Sequence, residues 1–223
     1  MIKLPAHVEA LTSQLLRNRI TMVPSKPILK IEQVRDDLLA CYVAEVRFRN
    51  RQFIFNEDFS NQLQAVAAWL IDPKSKPWLI LCGKCGNGKT TMAKALRQFY
   101  NLHRVKDPID NSTMGLVIVN SKEITEACRS DFKTFLNFSH KPMLAIDDLG
   151  IEPRELLVFG NVCTPIVDLI TDRYEQQRVT HITTNFTPGQ IREHYGDRIA
   201  DRLNEMACKI IFRNESYRIA PNY

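Results

Sequence analysis

The stretch LILCGKCGNGKTTMAKAL, residues 79–96, determines how the rest of the chain is interpreted. It begins as a short apolar strand, passes through a glycine-rich turn and ends in a helical pattern that opens at Lys89. The turn contains two competing patterns. Residues 83–90 match G-x-x-x-x-G-K-T, which cradles phosphate, whereas Cys82 and Cys85 form a C-x-x-C pair that can bind metal or cycle as a dithiol.

The order of these elements favours the phosphate cradle. Cys82 ends the predicted strand and Cys85 lies in the turn, so a metal ion there would compete with a phosphate. A redox dithiol would place its reactive cysteine at the helix N-terminus, where Lys89 and Thr90 stand instead. We expect Lys89 to reach the β- and γ-phosphates of a nucleotide and the Thr90 hydroxyl to bind Mg²⁺. The predicted phosphate-binding residues are Gly83, Lys84, Cys85, Gly86, Asn87, Gly88, Lys89, Thr90 and Thr91.

Length and composition fit one globular core with a small appendage. The chain has 223 residues, and its 44% hydrophobic and 25% charged content is ordinary for a globular protein. No apolar run approaches the roughly 20 residues that cross a bilayer, and the N-terminus lacks a secretory apolar core. We therefore expect a cytoplasmic protein without a membrane partner. Six scattered cysteines suit a reducing compartment, and a net charge of +5 is compatible with an anionic partner.

From about Phe53 onward, helical and strand patterns alternate, which indicates a parallel sheet with crossover helices. The predicted strands are 77–82, 115–120, 142–147, 179–185 and 208–213. The predicted helices are 60–71, with Ser60 as N-cap, 89–102, 121–138, 164–177 and 191–207. Before Phe53 the chain has two amphipathic helical stretches, a Pro-rich break VPSKP at 23–27 and a basic junction RFRNRQF at 47–53. Two such helices bury little by themselves, so they attach to a partner or to the main body.

A second motif supplies carboxylates at the end of a neighbouring strand. In MLAIDDLG, residues 143–150, four apolar residues lead into Asp147 and Asp148. We expect Asp147 to hold Mg²⁺ through water and Asp148 to polarise an attacking water; the alternative is a solvated Asp-Asp turn. In HITTNF, residues 181–186, a strand again ends in a polar residue, Asn185. Asn185 would hydrogen-bond the same water or the γ-phosphate; the alternative is that it only forms a turn.

A pair of arginines follows in YGDRIADRLNEMA, residues 195–207. Arg198 and Arg202 are four residues apart and share one helical face. The spacing alone favours an exposed helix with salt bridges. The alternative is an arginine finger that stabilises charge on the nucleotide of a neighbouring subunit.

Taken together, GKCGNGKT, AIDDLG, TTN, GDRIADRL and the terminal FRNESYR resemble the DnaC/DnaI-type bacterial helicase loaders and the related IstB-type transposition ATPases, within the AAA+ superfamily. The resemblance covers roughly residues 53–218. It implies an α/β P-loop fold with a five-stranded parallel sheet in the order 5-1-4-3-2, flanked by helices, with ATP between subunits. We expect an AAA+ ATPase domain at 51–223, and a helical partner-binding region at 1–50 that the resemblance does not cover. The chain departs from the family pattern after Arg218, where we expect no C-terminal helical lid.

The resemblance also assigns roles to single residues. Arg202 matches the arginine finger, with Arg198 close by, and Arg218 in SYR matches the sensor 2 arginine. The family suggests that residues 121–138 approach single-stranded DNA, unless the phenylalanines there belong to the core. The candidate DNA contacts are Lys122, Arg129, Phe132, Lys133 and Phe135. Asp148 stands where many AAA+ ATPases use glutamate, which suits a slow switch better than a motor.

The expected function is an ATP- and Mg²⁺-dependent loader that self-associates through its ATP site and delivers a replicative helicase to single-stranded DNA. An IstB-type helper of a DNA transposase is the alternative. Two rivals are a small-molecule kinase, for which no acceptor pocket or arginine-rich lid is visible, and a nucleotide-binding adaptor without hydrolysis. The predicted catalytic residues are Lys89, Asp148, Asn185 and Arg202, the predicted metal ligands are Thr90 and Asp147, and Arg218 is a further nucleotide contact.

Overall fold

The structure is a computed structural model that describes residues 5–17, 29–106 and 112–218. Its helices are α1 (Ala6–Arg17), α2 (Ile31–Phe48), α3 (Glu57–Ile71), α4 (Lys89–Leu102), α5 (Ser121–Ser130), α6 (Phe132–His140), α7 (Pro165–Glu175), α8 (Pro188–Tyr195) and α9 (Asp197–Met206). Its strands are β1 (Trp78–Gly83), β2 (Leu116–Asn120), β3 (Met143–Leu149), β4 (Leu156–Val158), β5 (Asn161–Cys163), β6 (Val179–Thr184) and β7 (Ala207–Phe212).

Five of the strands form one parallel sheet in the order β2-β3-β6-β1-β7. With these five strands numbered along the chain, the order from the β7 edge is 5-1-4-3-2, as predicted. β6 lies between β3 and β1, so the carboxyl ends of the three strands are adjacent. The glycine-rich turn after β1, the aspartates of β3 and the asparagine after β6 therefore meet at one edge.

Apolar strands dictate this layered arrangement. All residues of β1 from Trp78 to Cys82 are buried, as strands covered on both faces must be. One face of the sheet packs against α2, α3 and α4, and the other against α5, α7 and α9. No helix in the described part of the chain is long and apolar enough to span a membrane.

The second amphipathic stretch, α2, attaches to the main body. Its residues Val34 and Leu38 are fully buried in the same core as α3 and α4. Each such side chain contributes about 1.5–3 kcal/mol through burial. By contrast, Leu11 and Leu15 of α1 are 55% and 60% exposed. The division of the chain near residue 50 stays a prediction, and the VPSKP segment lies outside the described residues.

Several element boundaries differ from the predicted ones for local reasons. The predicted helix 121–138 is two helices, because the Asp131 carboxylate accepts from Thr134 N (3.2 Å) and restarts the helix as α6. The predicted helix 191–207 breaks at Gly196, which has φ +87°. The predicted Ser60 N-cap is wrong, since Asn56 Oδ1 accepts from Phe59 N (2.8 Å) and α3 begins at Glu57.

The β4–β5 hairpin is a further element that the periodicity did not predict. It is antiparallel and separate from the main sheet. Its turn consists of Phe159 and Gly160, with φ +49° and +83°. Phenylalanine rarely adopts this left-handed conformation, so the turn lacked the usual sequence signal.

Candidate nucleotide-binding site

The loop between β1 and α4 follows a path that leaves no room for side chains at two of its glycines. Gly86 and Gly88 have φ +82° and +96°, which favour glycine. A Cβ at Gly86 would lie 2.1 Å from Ser216 Oγ, and one at Gly88 would lie 2.3 Å from the Tyr42 hydroxyl oxygen. The Gly86 carbonyl accepts from Tyr217 N (3.0 Å), so the C-terminal segment fixes the loop from outside. This strand, turn and helix N-terminus together form a phosphate-binding geometry.

The Lys89 ammonium group lies at the mouth of this cradle. Its Nζ donates to the carbonyl oxygens of Gly83 and Lys84, both at 2.7 Å, and to Asn185 Oδ1 at 2.9 Å. Burial lowers the pKa of Lys89, and the nearby Asp148 carboxylate opposes this shift. In the described part of the chain, the hydrogen-bond acceptors of the Lys89 ammonium group are neutral oxygens. A phosphate in the cradle would give the buried cation an anionic partner, so the residues present fit a nucleotide.

The hydroxyl of Thr90 meets the carboxylate at the end of β3. Thr90 Oγ1 donates to Asp147 Oδ1 at 2.9 Å, and Thr183 Oγ1 donates to the same oxygen at 2.6 Å. A hydroxyl and a carboxylate side by side are the hard oxygen ligands that Mg²⁺ prefers. No group of three or more His, Cys, Asp or Glu residues that could hold a metal occurs in the described ranges. A Mg²⁺ ion here would therefore complete its shell with water and phosphate oxygens.

Asp148 is directed into the cleft by an irregular backbone. The register between β3 and β6 shifts between Ile146 and Leu149, and Asp148 has φ +56°. Such bulges re-aim side chains next to active sites. Burial is the main cause that raises the pKa of Asp148, with the Asp147 charge second, while Lys89 and Arg218 oppose the rise.

Arg218 of the C-terminal segment, Cys82 of β1 and Cys85 of the glycine-rich loop have different environments. Arg218 lines the cleft, and its Nη1 lies 3.6 Å from Cys85 Sγ. Cys85 is exposed, whereas Cys82 is buried in β1, and both are free. Burial raises the pKa of the Cys82 thiol, which disfavours the thiolate that a redox or metal-binding role requires. The geometry therefore favours the phosphate cradle over the dithiol.

One wall of the cleft comes from a region that the sequence did not assign to the site. The cleft has a volume of about 240 Å³, and the end of α2 and residues 49–54 line one side of it. The apolar residues on this wall are Tyr42, Val46, Phe53 and Ile54. The segment 47–53 was interpreted as a basic junction between two regions. The alternation of arginine and aromatic residues in this segment was the sequence signal that could have assigned it to the cleft.

The two arginines of α9 have different surroundings. Arg202 is buried and holds α9 against α7: it donates to Glu175 Oε1 at 2.6 Å and Thr171 Oγ1 at 2.7 Å, and lies 4.7 Å from the Tyr174 ring centroid. Arg198 is exposed. Neither lines the cleft of its own chain.

The predicted salt bridges in this region have another partner. Asp197 and Asp201 both pair with Arg192 of α8, Asp201 at 2.8 Å. Arg198 and Arg202 therefore do not share these carboxylates within α9. The cation that pairs with both carboxylates is therefore Arg192 of α8, although Arg198 is exposed as that interpretation expected.

A buried carboxylate links the loop after β3 to the end of α8. Glu152 accepts from Gly150 N at 2.9 Å and from the Tyr195 hydroxyl. Burial, followed by the hydrogen bond to Glu152, raises the pKa of Tyr195. Since Tyr195 immediately precedes the turn that leads to Arg198, this contact ties the aspartate loop to the start of α9.

The candidate DNA-contacting segment is only partly available for stacking. Phe135 is 3% exposed and belongs to the core, so its predicted role as a stacking residue is wrong. Phe132 is 58% exposed and packs on Phe135 with ring centroids 5.7 Å apart. Arg129 pairs with Glu126 at 2.7 Å, whereas Lys122 and Lys133 are exposed.

Comparison with known proteins supports the fold. No protein-family model matches the chain, and no curated protein matches its sequence. Among solved structures, the chain is similar to DnaI, with a TM-score of 0.57 and 20% identity over 82% of this chain and 93% of that chain. It is also similar to the DnaC helicase loader, with a TM-score of 0.53 and 19% identity over 72% of this chain and 93% of that chain.

These likenesses define the class of fold. The chain has a five-stranded parallel sheet flanked by helices, with a glycine-rich loop at the carboxyl end of β1, and it shares this fold with DnaC and DnaI. Within that class, the resemblance to DnaC and DnaI that the motifs predicted is confirmed at the level of the fold.

Proposed function

We propose that the chain binds and slowly hydrolyses Mg²⁺-ATP and uses this cycle to load a replicative helicase onto single-stranded DNA. One observation supports the nucleotide chemistry most strongly. Lys89 joins Asn185 (2.9 Å) and Thr90 joins Asp147 (2.9 Å), so three segments far apart in sequence meet on one cleft. A solvated Asp-Asp turn or an isolated lysine would not produce this convergence.

Each residue of the cleft has a distinct task in hydrolysis. Lys89 would hold the β- and γ-phosphates, while Thr90 and Asp147 would hold Mg²⁺, which neutralises charge on the phosphates. Asp148 would orient and polarise the attacking water, and Asn185 would hold that water or the γ-phosphate. The Asp148 side chain is one methylene shorter than glutamate, which places the water less closely and suits slow turnover.

The finger that completes the site in a neighbouring subunit is better assigned to Arg198 than to Arg202. Arg202 is buried and engaged by Glu175 of its own chain. Releasing it would leave a cavity and break an ion pair. Arg198 is exposed at the start of α9, so its guanidinium would be accessible to a second subunit. Arg218 would contact the nucleotide within its own chain.

The loader assignment rests on similarity and on two surfaces. DnaC is a helicase loader, and this chain shares its fold. The apolar side chains of Leu11 and Leu15 in α1 are exposed and suit a helicase contact. Exposed Lys122, Lys133 and Phe132 at α5 and α6 suit single-stranded DNA, because they combine positive charge with one stacking ring.

The test uses the full chain with the replicative helicase of the same source. Helicase transfer to circular single-stranded DNA is measured with ATP, with ADP and without nucleotide. We expect ATP-dependent transfer that Leu11→Asp with Leu15→Asp abolishes, while nucleotide turnover continues. The control His7→Asp adds the same kind of charge to the exposed start of α1.

Four results would overturn the proposal in identifiable ways. ATP-dependent filaments on duplex DNA together with capture of a transposase would indicate an IstB-type helper. Transfer of the γ-phosphate to a metabolite would indicate a kinase. Nucleotide binding without phosphate release would indicate an adaptor. Unchanged helicase transfer by the α1 double variant would disprove the role of α1.

A further inference from the structure

The basic junction at 47–53 contributes a cation to the nucleotide cleft. Arg49 caps the C-terminus of α2, is half-buried and lines the cleft. Its Nη1 donates to Thr91 Oγ1 at 3.2 Å, across 42 residues of sequence. Within the described ranges, no ion pair joins Arg49 to an acidic side chain. A half-buried guanidinium that meets only a neutral hydroxyl has donors left for an anion.

The position of Arg49 along the cleft defines which anion it would meet. Lys89 and Asn185, joined at 2.9 Å, mark the end where the γ-phosphate would lie. Val46, Phe53 and Ile54 form the apolar wall of the same cleft, against which a base would lie. Thr91 is in the first turn of α4, next to the cradle. Arg49 contacts this turn of α4 and lies in the chain between Val46 and Phe53 of the apolar wall.

We propose that Arg49 binds the α-phosphate of the nucleotide in cis. The inference rests on the proposed nucleotide-binding function and extends it to a residue outside the glycine-rich loop. A guanidinium donates two parallel hydrogen bonds to phosphate oxygens, which a lysine cannot do with its single nitrogen. The helix N-terminus of α4 and Arg49 would hold the same phosphate from opposite sides.

This contact would also couple the nucleotide to the N-terminal region. Arg49 ends α2, whose buried face packs against α4 through residues such as Val34 and Leu38. A phosphate held by both Arg49 and α4 would fasten the end of α2 to the loop. The α2 helix would then be held more firmly when nucleotide is bound.

The experiment measures dissociation constants for adenosine, AMP, ADP and a non-hydrolysable ATP analogue by competition with a fluorescent ADP. Wild type is compared with Arg49→Gln and Arg49→Lys, and with Arg47→Gln as an exposed control from the same junction. We expect Arg49→Gln to weaken AMP, ADP and the analogue by one common factor of about 10 to 100, as for a lost charged hydrogen bond. Arg49→Lys retains part of the affinity, and adenosine binding and the Arg47→Gln variant stay unchanged.

Different outcomes separate this inference from the function on which it rests. Unchanged phosphate-dependent affinity in Arg49→Gln overturns the inference while leaving the site intact, provided that Lys89→Ala abolishes binding. Equal weakening of adenosine would show that Arg49 only supports the α2 wall, and it would also overturn the inference. Failure of wild type to bind any of the nucleotides overturns the proposed function and this inference with it.

Discussion

We expect Arg202→Ala to lower the stability of the protein and Arg198→Ala to lower its turnover of ATP. Arg202→Ala removes a buried guanidinium that bonds Glu175 and Thr171 and covers the Tyr174 ring. Because the Glu175 side chain is 61% exposed, solvent weakens the ion pair, which we count as about 1 kcal/mol. The neutral hydrogen bond and the cation–π contact add about 1 kcal/mol each. We expect a loss of about 3 kcal/mol in the free energy of unfolding.

The assay for stability is thermal unfolding of the isolated chain without nucleotide. A loss of about 3 kcal/mol corresponds to a fall in Tm of about 6–12 °C for a chain of this size. Arg198→Ala removes an exposed side chain and should change stability by less than about 0.5 kcal/mol. The matched pair therefore distinguishes a residue that holds α9 in place from one that is free to act elsewhere.

Turnover provides the second half of this comparison. Arg198→Ala should lower kcat by about a thousandfold if it is the arginine finger. Mixing Arg198→Ala with Lys89→Ala subunits should restore part of the activity, because each supplies what the other lacks. Arg202→Ala at a temperature where it is folded should retain turnover. Wild-type stability of Arg202→Ala, together with loss of turnover that Lys89→Ala subunits restore, would refute this assignment and return the finger to Arg202.

Three further predictions concern buried charge and titration. Burial lowers the pKa of His181 from 6.5 to about 3, so between these pH values the unfolded chain binds a proton that the folded chain excludes. When the pH falls from 7.5 to 4.5, the free energy of unfolding of wild type should therefore fall by about 2.5 kcal/mol more than that of His181→Gln, measured by denaturant unfolding. Arg173 donates to four backbone carbonyl oxygens and is fully buried, so Arg173→Met should destabilise the chain by about 3–5 kcal/mol in the same assay. Asp148→Asn should abolish phosphate release yet raise Tm, because it removes a carboxylate that burial and Asp147 disfavour and because asparagine tolerates φ +56°.

Each of these predictions has a contradicting result. Parallel pH profiles for wild type and His181→Gln would mean that His181 is protonated in the fold. Arg173→Met with wild-type stability would mean that water satisfies the carbonyl oxygens. Asp148→Asn with retained phosphate release would exclude Asp148 as the residue that polarises water. The control is Asp168→Asn in α7, which also removes a carboxylate whose pKa burial raises.

The sheet and the phosphate loop could be predicted from the sequence because their signals are local. The run from Trp78 to Leu81 is wholly apolar and buried, and the helical pattern that opens at Lys89 matches α4 from its first residue to Leu102. The strand order came from the resemblance, since periodicity does not fix which strands are neighbours. Which strands pair depends on contacts between segments that are distant in sequence, and a local pattern carries no information about them.

The features that the sequence did not predict depend on single side chains or on distant contacts. Helix breaks at Asp131 and Gly196 each depend on one residue within an otherwise helical pattern. Arg198 and Arg202 have the same side chain and lie on one helical face, and the contacts of Arg202 with residues of α7, such as Glu175, distinguish the two. Arg49 was not assigned to the site because its partner, Thr91, is 42 residues away.

The most direct test of the central claim is a crystal structure of the full chain with Mg²⁺ and a non-hydrolysable ATP analogue. The Lys89 ammonium now bonds the Gly83 and Lys84 carbonyl oxygens at 2.7 Å. We expect it to bond phosphate oxygens instead, with a Mg²⁺ ion about 2.1 Å from the Thr90 hydroxyl oxygen. A structure in which Lys89 keeps its carbonyl partners while the analogue binds elsewhere, or in which Cys82 and Cys85 share a disulfide or a metal ion, would contradict the account.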